Sequence, residues 1–123
     1  MENKENIIKT HKDLKVWQKS IDFVTNIYNV TKFYPQSEVF SLTNQIRRCA
    51  ISIPANIAEG SGRKGNKEFK QFLHISLGSA TELETYLIIS ERLEYINKDT
   101  FEILNNSLTE IIRMLSGLIK SIN

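Results

Sequence analysis

Residues 41–65 read SLTNQIRRCAISIPANIAEGSGRKG. Leu42, Ile46, Cys49, Ile53 and Ile57 recur at steps of three and four, which lays them along one stripe of a helix. Gln45, Arg48, Ser52, Asn56 and Glu59 recur in the same way and form a second, wholly polar stripe beside it. The spacing predicts a helix over about 37–60. Its polar stripe has two readings: a solvated face, or a hydrogen-bonded seam against another helix or subunit. Pro54 lies inside the pattern. It lacks an N–H and crowds the carbonyl of Ala50, so it predicts a kink in a continuous helix, because both stripes keep phase across it. The alternative is two short helices parted at Ile53. Gly60 suits the left-handed position after a helix. Beyond it, Gly62 and Gly65 frame a basic turn bearing Arg63 and Lys64.

Amphipathic patterns flank this stretch on both sides. Upstream, Leu14, Trp17, Ile21, Val24 and Tyr28 make one stripe, and Val16, Phe23, Ile27 and Val30 another. They predict a helix over about 13–34, capped by Asp13, ended by Pro35 and touching two neighbours. Ser37 is the expected cap of the second helix, with Glu38 in its first turn. Downstream, Phe69, Phe72, Leu73, Leu77, Ala80, Leu83 and Leu87 define a third helix over about 66–93, capped by Asn66. The small run Gly78–Ser79–Ala80 would let another helix approach. Asp99 and Glu102 are spaced as a capping pair for a fourth helix, about 99–122. There Leu104, Leu108, Ile111, Leu115, Leu118 and Ile122 alternate steps of four and three.

Four helices with short connections predict an all-α, up-down-up-down antiparallel four-helix bundle over residues 13–123. Residues 1–12 are polar and charged and read as a flexible arm. If the second and third helices fold back about Arg63, then Arg48 lies level with Gly78, Ser52 with His74 and Asn56 with Lys70. Arg48 is then expected to pair with Glu82, or with Glu59 of a neighbouring copy.

Charge is unevenly placed. The net charge is only +2. Between Ser41 and Ala80, Arg47, Arg48, Arg63, Lys64, Lys67 and Lys70 face only Glu59 and Glu68, whereas residues 81–123 are acidic on balance. Arg47, Arg63, Lys64, Lys67 and Lys70 are therefore candidate phosphate contacts, next to a helix N-terminus with free N–H donors. No aromatic platform interleaves them, so sequence-specific reading of single strands is not indicated.

Catalytic machinery is not legible. The two histidines, His11 and His74, belong to no His/Cys cluster at metal spacing, and no phosphate-cradling GxxxxGK[ST] or GxGxxG occurs. Glu82, Glu84, Glu91 and Glu94 share a helix but lack the Glu-x-x-His pairs of a di-iron bundle. The expectation is a protein that is not an enzyme, with no catalytic residue, metal or cofactor. The lone Cys49 fits a small buried hydrophobe in a reducing compartment. The polar N-terminus and short apolar runs fit a cytoplasmic protein without membrane contact.

The runs QIRRCAISIPANIAEGSGR and EFKQFLHISLGSATELETYL, with DLKVWQKSIDFVTNIY before them, resemble the four-helix-bundle proteins encoded within intervening sequences of bacterial large-subunit (23S) ribosomal RNA genes. The resemblance covers nearly all of residues 13–122 and includes the motif positions Arg48, Ser52, Asn56, Glu59 and Gly60. It implies a bundle that assembles into a ring-like homopentamer. It also implies kinship with the accessory protein of diversity-generating retroelements, a basic pentamer that works with a reverse transcriptase and nucleic acid. No established activity comes with the family, whose genetic location prompts the proposal of RNA binding. Two functions follow as expectations. One is an oligomer that binds RNA or DNA by charge and shape. The other is an oligomeric scaffold for another protein.

Overall fold

The computed structural model describes residues 10–123. It has four helices: α1 (Lys15–Thr31), α2 (Leu42–Ser61), α3 (Asn66–Arg92) and α4 (Lys98–Ser121). Short 3-10 turns at His11–Asp13 and Gln36–Glu38 precede α1 and α2, and no strand occurs among the described residues. Each helix turns an apolar stripe inward, but of the two expected on α1 only Val16, Phe23 and Ile27 of the second are buried, while Ile21 and Tyr28 of the first are exposed. Ile27, Ile46, Ile53, Ile57, Leu73, Leu83, Leu87, Leu108 and Leu115 are fully shielded in one shared core. Burying side chains of this size stabilises by roughly 1.5–3 kcal/mol each.

The helices begin and end differently from their sequence signals. Asp13 does not cap α1. It forms a reciprocal pair with Thr10 that closes the first 3-10 turn, its carboxylate accepting from the Thr10 N–H at 3.2 Å. Helix α1 then follows from Leu14, which is extended and buried. Of the expected arm, residues 1–9 lie outside the described residues. Residues 10–12 belong to this turn, and the Lys12 carbonyl accepts from the Gln18 amide at 2.8 Å. At the far end α1 closes at Thr31, three residues before the expected stop. Phe33 and Tyr34 continue in tighter i→i+3 bonds up to Pro35.

Nor does α2 start at Ser37. Glu38, expected inside the first turn, caps α2 from outside: one carboxylate oxygen accepts from Ser41 Oγ at 2.6 Å and from the Leu42 N–H at 3.3 Å. The other accepts from Tyr95 Oη at 2.7 Å, and Tyr34 packs against Tyr95 at 5.4 Å between ring centroids. The α1–α2 connection is thereby tied to the α3–α4 turn. Helix α2 runs unbroken past the buried Pro54, so no break occurs at Ile53.

Gly60 is not a left-handed terminus but an interior residue of α2. A Cβ there would sit 2.7 Å from Phe72 Cβ and 3.0 Å from Phe69 Cδ1. Only glycine allows α3 this close. Two further contacts fix the register: Ser76 Oγ donates to the Ile53 carbonyl at 2.8 Å, and Ser52 and Ser79 share a hydrogen bond of 2.8 Å. Ser52 thus meets Ser79 rather than His74. The fold-back centres nearer Gly65 than Arg63, because α2 continues to Ser61 before the turn begins.

Gly65, not Asn66, precedes α3, and no side chain caps that N-terminus. Helix α3 ends with the Tyr95 N–H bonded to the Ser90 carbonyl and the Glu94 N–H to the Glu91 carbonyl, leaving Glu94 at φ 63°. That is the capping geometry that usually holds glycine. Helix α4 is capped by Asn97, whose side chain accepts from the Thr100 N–H at 2.8 Å, rather than by Asp99 and Glu102. Its buried seam runs Leu104, Leu108, Ile111, Leu115 and Ile119, while Leu118 and Ile122 are half-buried. The final step is four rather than three because a helix of 3.6 residues per turn drifts off a strict heptad.

Candidate nucleic-acid interface

The basic turn is residues 62–65, between α2 and α3. Its arginine is not free. Arg63 meets Glu59 at 2.8 Å and Glu68 at 3.9 Å, and its guanidinium lies over the Phe72 ring at 5.0 Å. These pairs are about half exposed, so they stabilise little, yet they neutralise the charge that a phosphate would meet. Lys64 and Lys67 differ. Both are exposed, and among the described residues no carboxylate reaches either ammonium within 4.0 Å. They flank Gly65, where the first N–H groups of α3 have no side-chain cap. Lys70 lies one turn on and is half-buried.

Arg47 does not join this surface. It sits about 20 Å away along α2, where its Nε donates to Thr31 Oγ1 at 2.9 Å and its guanidinium covers the Tyr28 ring at 4.5 Å. It ties α2 to α1. Of the five candidate cations the fold therefore gathers Arg63, Lys64, Lys67 and Lys70, pairs the first with carboxylates, and leaves Lys64 and Lys67 the most available.

The polar stripe of α2 divides. In its middle, Ser52 meets Ser79, and Asn56 Nδ2 donates to the Ser52 carbonyl at 2.8 Å and to Ser52 Oγ at 2.9 Å. That part is a seam against α3. Gln45, Arg48 and Glu59 are exposed at its ends. The expected Arg48–Glu82 pair does not form. Glu82 instead accepts from Tyr86 Oη at 2.5 Å, one turn along its own helix. This bond pushes the Tyr86 hydroxyl up to about 12, and burial together with Glu82 pushes the Cys49 thiol up to about 11. Cys49 is buried, as expected of a small hydrophobe on the apolar stripe.

Among the described residues, no group of three His, Cys, Asp or Glu side chains could hold a metal ion. His74 is exposed, and His11 lies edge-on to Trp17. No described helix is long and apolar enough to cross a membrane. Two features escaped the sequence reading. One is the Glu38–Tyr95 tie, which joins positions 57 residues apart with no local signal. The other is the near-complete exposure of Phe33 (83%) and Phe40 (93%). An aromatic run beside Pro35 was a visible cue for the second.

Fold and site together define an all-α, four-helix protein whose most available surface chemistry is an open pair of lysines at one turn. The chain belongs to the 23S rRNA-intervening sequence protein family, which matches residues 12–117. A solved structure from Bacteroides thetaiotaomicron, a protein of unknown function from the S23 ribosomal protein family, is 37% identical. It superposes with a TM-score of 0.80 over 85% of this chain and 95% of that one. No functionally curated protein matches.

Proposed function

We propose that this protein is a non-enzymatic, cytoplasmic, up-down-up-down antiparallel bundle, bent in α2 where Pro54 withholds its N–H. Copies assemble into a ring-like homopentamer that binds RNA by charge and shape. The observation that carries the RNA reading is the exposure of Lys64 and Lys67 beside the uncapped N-terminus of α3. Membership of a family named for ribosomal RNA intervening sequences makes RNA the first ligand to test. One such turn is a weak anion site. A ring repeats it, and avidity multiplies the affinity without new contacts.

The test is fluorescence anisotropy against structured RNA and duplex DNA at low and physiological salt. Phosphate-led binding weakens steeply with salt, with a log–log slope close to the number of phosphates contacted. Lys64→Glu with Lys67→Glu should flatten that slope and lower RNA affinity at least about tenfold while leaving the circular dichroism unchanged. Unchanged affinity in this variant overturns the assignment of the turn. Absence of binding at low salt favours the second reading, an oligomeric scaffold for another protein, to which the exposed Phe33 and Phe40 lend support.

A further inference from the structure

Phe40 is 93% exposed, yet the backbone beneath it is firmly held. The Val39 N–H bonds to the Gln36 carbonyl, the Ser41 N–H to the Glu38 carbonyl, and Ser41 Oγ to the Glu38 carboxylate. Glu38 is itself tied to Tyr95. An aromatic ring presented by a rigid turn loses little conformational entropy on docking, which is the usual character of an interface anchor.

Elsewhere on the same chain lies a groove of about 310 Å³ between α1 and α4. Asn26 and Val30 form one wall, and Thr100, Ile103 and Leu104 the other. Ile103 is 67% exposed on it. Phe33 follows Val30 by three residues, in the turn just after α1, and is 83% exposed. The groove is mainly apolar. Phe40 does not occupy the groove of its own chain, since its ring is in solvent.

Charge matches the two places to each other. The segment carrying Phe40, residues 31–52, bears Lys32, Arg47 and Arg48 against Glu38. The start of α4 at the groove's rim, residues 98–102, bears Asp99 and Glu102 against Lys98, while Glu110 farther along is paired with Lys19 at 3.0 Å. Opposite signs around knob and hole favour their encounter and set its orientation.

We infer that Phe40 of one copy inserts into the α1–α4 groove of a second copy of this chain. The inference rests on the oligomeric reading above and names its interface. Knob and hole are different surfaces, so the contact is heterologous: one copy keeps its hole free and the other its knob, and successive copies close into a ring. A phenylalanine carries roughly 150–250 Å² of surface. Phe40 is therefore the anchor of an interface that needs on the order of 800 Å² per partner, with Phe33 and the flanking charges around it.

Mass-resolved size-exclusion chromatography across a dilution series tests this with the full chain and with Phe40→Asp, Phe40→Ser and Ile103→Glu. Both positions are exposed, so each variant should melt like the parent. The parent should be oligomeric. Each variant should be monomeric, its association weakened at least about 30-fold. An equimolar mixture of Phe40→Asp and Ile103→Glu retains one intact knob and one intact hole, and should give a dimer and nothing larger. An oligomeric parent with oligomeric variants overturns the assignment and leaves the oligomeric reading standing. A monomeric parent at the highest concentration overturns both.

Discussion

The two connections on either side of α2 are built in opposite ways. The α1–α2 connection spans ten residues without a glycine and is held by a single carboxylate, Glu38, that gathers three donors. It presents aromatic rings. The α2–α3 turn is short and glycine-bearing, and leaves its lysines unpaired. Its stability comes from the helices behind it, where Gly60 lets Phe69 and Phe72 lie against α2. A connection with its own hydrogen-bond hub can display apolar groups in fixed positions. A connection without one suits long, mobile cations that adapt to phosphate.

The largest expected effect breaks the second connection from behind. Gly60→Val places a branched side chain where even a Cβ meets backbone-attached atoms of α3, so the two helices must part. It should cost about 2–3 kcal/mol in urea denaturation. Gly62→Val is the control, since a Cβ there meets only carbonyl oxygens at 3.7 and 3.8 Å. A Gly60→Val protein as stable as its parent would remove close helix approach as the basis of this end.

A smaller effect, with a signature in pH, is expected at the other connection. Hydrogen bonds from Ser41, Tyr95 and the Leu42 N–H hold the Glu38 carboxyl below its ordinary value. Its folded pKa is lowered, so its contribution is present above the unfolded value of 4.5 and is lost as pH falls through the folded value. Glu38→Gln should melt below the parent at pH 7, and the gap should close toward pH 3. A gap that stays constant with pH would show that the carboxylate charge plays no part.

The smallest effect sharpens the tie between the α3–α4 turn and the first connection. Glu94 holds a left-handed backbone at the end of α3 without being glycine. Glu94→Gly should raise stability by about 0.5–1 kcal/mol, read from the thermal midpoint. A loss instead would mean that the Glu94 side chain makes a stabilising contribution of its own.

The number of helices, their buried faces and the family were legible in the sequence. Apolar residues at steps of three and four report a helix wherever it packs, and Ile46, Ile53, Ile57, Leu108 and Leu115 are all buried. The caps were less legible. Asp13, Ser37, Asn66 and Asp99 each have the right chemistry for an N-cap. Which residue caps depends on backbone angles at the helix start, and neighbours such as Glu38 and Asn97 competed successfully. The candidate site was half legible. The positions of its cations were plain, but their availability was not.

By itself, then, the sequence determined four amphipathic helices, a basic turn and membership of a family, because periodicity and motif are properties of neighbouring residues. Only the tertiary structure decided that Arg63 is paired, that Arg47 is tied to Thr31 and Tyr28, that Glu82 takes Tyr86 rather than Arg48, and that Phe40 stands in solvent. The partner of Glu82 is a choice among groups that lie close together, and a displacement of one helical turn between α2 and α3 is enough to reassign it.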